Sequence, residues 1–247
     1  MTSTFRREWL IAESEDYIAI NKPSGLLSIP DREGKEISLK QLLGGQYNKV
    51  LTVHRLDRDT SGLILFARNE TAHKFFSQQF ENRNTEKIYH GLVVGCPPLA
   101  EGSIDAPIAE HPVQRGQMVI HRSGKASLTD YRVQENFKHY SWVRFRIHTG
   151  RTHQIRIHMK QLGFPIVCDP LYGDGKPFLL SSVKPRFKLS KNELEEKPLL
   201  PRLALHASSL KIENVDGKML ELEAELPKDI RASLQQLRKR VKREPGQ

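Results

Sequence analysis

Two apolar runs, with Leu51 and Val53 in the first and Leu63, Ile64, Leu65 and Phe66 in the second, bracket a stretch dense in charge: His54-Arg55-Leu56-Asp57-Arg58-Asp59-Thr60-Ser61-Gly62. Short apolar runs bounded by turn residues read as buried strands, so the pattern predicts a connection held rigidly at both ends. It sets the Asp57 carboxylate between the guanidinium groups of Arg55 and Arg58, and positive charge within several Å favours the ionised carboxyl. Such an acid has the makings of a catalytic group. Asp-Thr-Ser-Gly alone suits a turn or helix cap equally well, and Arg beside Asp suits a solvated ion pair contributing under about 1 kcal/mol.

The short-run pattern recurs along the chain. Strand-like segments fall at 9–12, 17–21, 51–56, 62–68, 87–94, 126–134, 141–148, 203–212 and 219–226. In the segment 141–148, Val143, Phe145 and Ile147 face one way while Arg144, Arg146 and His148 face the other. Helical spacing predicts a helix over 70–80, with Phe75, Phe76 and Phe80 on one face, and another over 227–243, with Ile230, Leu234 and Leu237 on one side. The second ends in the basic run Arg238-Lys239-Arg240-Val241-Lys242-Arg243, which reads as a solvated, frayed tail sooner than as a dedicated contact to a polyanion. Many strands with few helices predict an α+β fold around a large mixed, mostly antiparallel sheet with flanking helices. A chain of 247 residues can bury one good core, and the expected division is a lead-in strand over 1–20, a main domain over 21–226 and a basic helix or tail over 227–247. Residues 173–201, polar and proline-containing without clear period, read as a surface insertion of the main domain.

Charge narrows the partners. Lys plus Arg number 39 against 29 for Asp plus Glu, a formal net charge of +10, which favours a polyanion. No apolar run is long enough to span a bilayer, and no basic helix with a Trp or Phe face stands out, so a membrane is not expected. The first eight residues carry charge and no apolar core of a signal peptide, which predicts a cytoplasmic protein. Cys96 and Cys168 are too few for a disulfide framework, lack zinc spacing, and are expected to be buried, inert thiols.

Four further stretches could carry chemistry. Asn21-Lys22-Pro23-Ser24-Gly25-Leu26-Leu27-Ser28 reads as a chain reversal, with Lys22 at most a phosphate contact. Tyr89, in the strand 87–94, suits a core position or a stacking ring, and a phenol with pKa near 10 is a poor base near neutrality. In Gly150-Arg151-Thr152-His153-Gln154-Ile155-Arg156-Ile157-His158-Met159, Thr152 is the expected helix N-cap and Gly163 the stop. On that helix Ile155, Met159 and Leu162 form one stripe, and His153, Arg156 and Lys160 another, which would turn Arg156 toward a cleft. The spacing of His148, His153 and His158 fits no helix face and no Cys or carboxylate accompanies them, so no metal is predicted. His158 reads as a core residue and His153 as a contact to the polyanion, while Arg58 is a phosphate contact or a surface charge. The last stretch, Arg202-Leu203-Ala204-Leu205-His206-Ala207, reads as an ordinary strand.

Taken in order, these segments resemble the RluA-type RNA pseudouridine synthase family, through its NKPSGLLS, HRLDxxTSG, KxY, GRTHQIRxH and LxLHA patterns, over about residues 21–226. The resemblance implies the pseudouridine synthase catalytic fold, in the form without the accessory S4 domain. It implies an enzyme that flips specific uridines of structured ribosomal or transfer RNA into a pocket and isomerises them. It assigns Asp57 as the essential acid, Tyr89 as the ring stacked on the base, Arg156 as partner of Asp57, Arg55 as the group that fills the vacated stack or holds the flipped strand, and Leu205 as a wall of the base pocket. Isomerisation changes no composition, so no cofactor is expected, and the protein is expected to be a monomer. The competing expectations are a catalytically silent RNA-binding or ribosome-assembly protein, and a metal-dependent nuclease using Asp57, Asp59 and the histidines.

Overall fold

The computed structural model describes residues 4–31, 33–184, 187–189 and 194–241. The chain forms two compact units, each assembled from separated stretches: Met1–His90, Arg146–Thr152 and Leu205–Glu225 in the first, Gly91–Phe145, His153–Ala204 and Leu226–Gln247 in the second.

In the first unit, strand β1 (Leu10–Glu13) pairs with β2 (Tyr17–Lys22), followed by helix α1 (Leu39–Gly44), β3 (Leu51–Thr52), β4 (Ser61–Ala67), helix α2 (Glu70–Glu81) and the start of β5 (Glu86–Val94). All seven residues of β4 are buried, the mark of a strand covered on both faces. It pairs antiparallel with β2, where Ile64 faces Ile20, and with β3. Apolar residues on one face, Ile18, Ile20, Ile64 and Phe66, pack with Leu39 and Leu43 of α1. Those on the other, Ala19, Leu63 and Leu65, pack with Phe76 of α2. Both helices start on side-chain caps: Ser38 and Gln41 form a capping box on α1, and the Asn69 carbonyl accepts from Ala72 N at 2.8 Å on α2.

The second unit holds the remainder of β5, then β6 (Glu101–Asp105), β7 (Ile108–Glu110), β8 (Met118–Ile120), β9 (Leu128–Asn136), most of β10 (Tyr140–Ile147) and helix α3 (Gln154–Gln161). There β6 pairs antiparallel with β9, and β7 with β8. The chain then re-enters the first unit through β11 (Leu205–Glu213) and β12 (Met219–Glu223) and closes the second with helix α4 (Lys228–Val241). β11 runs parallel to β4, with Ala207 opposite Gly62, and antiparallel to β12. One parallel pair among antiparallel ones gives the mixed, mostly antiparallel sheet with flanking helices predicted above. Gly62 is required by that pair: its φ is +114°, and any Cβ would lie under 3 Å from the N, C and O of Ala207.

Helix α4 is docked rather than frayed. Ile230, Leu234 and Leu237 are buried. Arg202 forks onto Asp229 with both bonds at 2.7 Å, and Arg238 forks onto Glu135 at 2.8 and 2.6 Å. Lys242 and Arg243 of the basic run lie outside the described residues. The described part of 173–201 is partly folded in, since Phe178 and Leu200 are buried and bridge through their backbones. Cys168 is buried and its thiol pushed up to about 11 by desolvation, whereas Cys96 is only half-buried, contrary to expectation. Among the described residues no helix is long and apolar enough to cross a membrane.

Candidate active site

The charged loop after β3 is not a strand. The expected strand 51–56 ends at Thr52, and residues 53–60 form an irregular connection whose backbone is bonded to another loop instead of a ladder. Ser28 Oγ donates to Leu56 O at 2.8 Å and accepts from Leu56 N at 3.1 Å. Ser24 Oγ donates to Asp59 O at 2.6 Å, and Gly25 N to Arg58 O at 2.9 Å. Lys22 closes this web from below: its ammonium donates to the carbonyls of Pro23, Leu26 and Arg58 at 3.0, 2.8 and 2.9 Å. Its side chain is wholly buried, so Lys22 is a strut of the loop and not the phosphate contact expected from sequence. Backbone carbonyls take the place of an anion.

His54 fixes the other side of the loop. Its Nε2 accepts from Leu65 N at 2.9 Å, which places the ring proton on Nδ1, and the ring stacks on Phe80 at 4.5 Å. Burial first, and the nearby Lys87 ammonium second, lower its pKa to about 3. The imidazole is therefore neutral at physiological pH.

Between these anchors, Asp57 is half-buried. Tyr89, from β5, is half-buried and packs on the core beneath the loop. Its phenol is raised well above its ordinary value of 10, mainly by burial and further by the negative charge of Asp57. The Asp57 carboxylate is thus within electrostatic reach of the Tyr89 phenol. Beside Tyr89 opens a cavity of about 460 Å³ lined by, among others, Arg55, Arg83, Lys87, His148 and Arg151, with Glu81 the one acid among the described residues. Arg55 is exposed, and its Nη2 donates to Thr152 Oγ1 at 3.0 Å. Arg58 is also exposed and pairs with Glu36 at 2.9 Å. Leu205 is buried at the start of β11. The following His206 donates from Nε2 to Ala224 O at 3.1 Å and accepts the Ser61 hydroxyl on Nδ1 at 3.0 Å, which fixes its tautomer.

A second polar cluster lies in the second unit. Arg156 forks onto Asp169, Nε to Oδ2 and Nη2 to Oδ1, both at 2.8 Å, and both side chains are buried. Asp169 Oδ1 also accepts from Leu171 N at 2.9 Å and Tyr172 N at 3.1 Å. The Tyr172 hydroxyl meets Met118 N at 2.7 Å and His153 Nδ1 at 2.9 Å, and the Arg156 guanidinium lies over its ring at 5.1 Å. His153, not Thr152, is the N-cap of α3, with a left-handed φ of 53°. Its ring is thus committed to Tyr172, and the Thr152 hydroxyl to Arg55. Leu162 departs from the expected apolar stripe and is exposed. His158 is the satisfied core residue foreseen, bonded to Thr129 Oγ1 at 2.9 Å and Ala106 O at 3.0 Å. Asp169 and Tyr172 escaped the sequence reading; the only local signal is the Asp-Pro pair that opens a turn.

A family model described as RNA pseudouridylate synthase matches residues 16–161. The chain belongs to that family. It is 34% identical over 227 residues to the ribosomal large subunit pseudouridine synthase D of Haemophilus ducreyi, covering 89% of this chain and 67% of that protein. An RNA pseudouridine synthase of Chloroflexus aurantiacus, itself described as uncharacterized, is 36% identical over 230 residues, covering 90% and 66%. Among solved structures, human RNA pseudouridylate synthase domain containing 4 is similar with a TM-score of 0.70 and 25% identity, covering 94% of this chain and 93% of that one.

The protein is thus an RNA pseudouridine synthase, an isomerase of the RluA type. Its reaction breaks the bond from C1′ to N1, turns the uracil and rejoins C1′ to C5, with the C5 proton passing to solvent. A phenol raised like that of Tyr89 stays protonated at physiological pH and can donate a hydrogen bond. Among the described residues no group of three or more His, Cys, Asp or Glu is placed to hold a metal ion.

Proposed function

We propose that this synthase isomerises specific uridines of structured ribosomal RNA, with Asp57 as the essential acid. The observation that carries this reading is the carboxylate of Asp57 coupled to the neutral phenol of Tyr89 beside a basic cavity. The relatives named for the ribosomal large subunit support ribosomal over transfer RNA. A base inside a helix cannot reach such a cavity, so the uridine is extruded and Tyr89 stacks on it. Asp57 serves the covalent or deprotonation steps that detach and rejoin the uracil, on a loop held by Lys22 and His54 so that little is lost to reorganisation. Arg55, exposed at the cavity, holds the RNA strand or fills the gap left by the base. Leu205 supplies apolar wall. The family resemblance also names Arg156, which Asp169 holds rigidly in place.

Mapping pseudouridines across total RNA from cells with and without this gene tests the proposal. The expected result is loss of one or more sites in large-subunit ribosomal RNA, restored by the wild-type gene and not by Asp57→Asn. Sites lost only in transfer RNA would overturn the choice of substrate. No site lost would return the protein to the silent RNA-binding reading.

A further inference from the structure

A second cavity, of about 430 Å³, lies wholly within the second unit, where the β9–β10 turn, residues 181–184 and the last turns of α4 meet. Phe137 and Leu237 form its buried apolar floor. Among the described residues its charged lining is of one sign: Lys138, Lys184 and Arg240, with His139 beside them and no acid. Two observations mark it as more than a basic surface. Arg238, two residues before Arg240, is neutralised by its fork onto Glu135, whereas the buried Nε of Arg240 has no hydrogen-bond partner among the described residues. Among the described residues no carboxylate pairs with Arg240, which keeps its charge for an anion at the cavity. Lys138 adopts a left-handed φ of 67°, a strained backbone for a lysine, held by Phe137 N to Tyr140 O at 2.8 Å and His139 N to Phe137 O at 2.7 Å. Strain of this kind persists where the surroundings impose it, and it brings the Lys138 side chain to the cavity.

We propose that this cavity is an anion site for the phosphodiester backbone of the substrate RNA, separate in its residues from the catalytic loop. The proposal rests on the RNA substrate of the reading above. Arg240 offers a planar fork to one phosphate, and Lys184 and Lys138 add point charges. The site gives α4 and the 173–201 segment a task in RNA affinity that the isomerisation itself does not require.

Salt dependence reads it directly. Binding of large-subunit ribosomal RNA, taken from cells lacking the gene, is measured between 0.05 and 0.5 M salt for the wild type, Lys184→Gln/Arg240→Gln and Lys138→Gln/Lys184→Gln; the last leaves α4 untouched should the first fail to fold. Lys211→Gln/Lys218→Gln removes the same charge elsewhere. Each cavity variant removes two phosphate contacts, so the slope of log K against log salt falls by roughly 1.4 to 1.8. Affinity at 0.15 M salt falls about ten- to thirtyfold while kcat at saturating RNA is unchanged. Cavity variants that match the Lys211→Gln/Lys218→Gln control in slope and affinity overturn the proposal. So does binding of inorganic phosphate at the cavity with no change in RNA affinity. If the wild type shows the cavity-dependent slope yet releases no tritium from C5-labelled uridine, the anion site stands and the catalytic reading falls.

Discussion

Replacing Lys22 by Met separates a strut from an RNA contact. The ammonium is wholly buried and bonds three main-chain carbonyls, one of them in the loop that carries Asp57, at Arg58. Methionine keeps most of the volume but takes the donor from three carbonyls, of which only Leu26 O is bonded in a fully buried setting, at about 1–3 kcal/mol for such an acceptor. Relief of the desolvation the ammonium suffers offsets part of this, so the net cost is on the order of 1–3 kcal/mol. We expect a loss of that size in urea unfolding. Tritium release at saturating RNA should fall steeply, because the carbonyls that set the loop are no longer tied, while RNA affinity and its salt slope stay those of the wild type. Wild-type stability with weaker, less salt-dependent RNA binding would refute the reasoning and restore Lys22 as a phosphate contact.

Three further outcomes follow from the same geometry. Tyr89→Phe keeps the ring and loses only a phenol that is already protonated, so single-turnover rates should stay within about tenfold of wild type, whereas Tyr89→Ala should be far slower; a Phe variant as inert as Ala would give the hydroxyl the chemistry. His54 is neutral when folded, with a pKa lowered to about 3, and takes up a proton near 6.5 when unfolded. The unfolded state therefore binds more protons between those values, and stability is lost as pH falls from 6.5 toward about 3, by on the order of 4 kcal/mol. His54→Gln should flatten that part of the stability profile; an unaltered profile would contradict the assignment. Asp169→Asn leaves the buried Arg156 guanidinium without its carboxylate, and should cost on the order of 3–5 kcal/mol in unfolding and lower kcat more than KM. Unchanged kcat in a folded Asp169→Asn protein would detach Arg156 from the reaction.

The elements whose signal is local were legible in the sequence. β2, β4, α2 and α4 follow from apolar spacing, and Ile230, Leu234 and Leu237 are buried as the helical period requires. His158 was legible as a core residue because it lies close to an apolar stripe. What escaped depends on partners distant in the chain. Residue type places a lysine at the surface, and only the meeting of two loops, residues 22–28 and 56–59, makes the interior habitable for Lys22. The strand expected over 51–56 stops at Thr52 because the NKPSGLLS loop competes for its backbone hydrogen bonds. Asp169 lies 13 residues from Arg156 and outside any recognisable spacing. Short strands such as β7 and β8, three residues each, carry too little periodicity to be read. The interleaving of the two units follows from β5 and β10 each passing from one to the other, which no consecutive reading of the chain reveals.

The central claim is that the carboxylate at position 57 does the chemistry. Release of tritium from RNA carrying C5-labelled uridine, measured in single turnover with enzyme in excess, tests it most directly. The wild type should release label, and Asp57→Asn, an isostere that keeps the loop and the RNA affinity, should release none above background. Label released by the Asp57→Asn protein at a rate comparable to wild type would contradict the account.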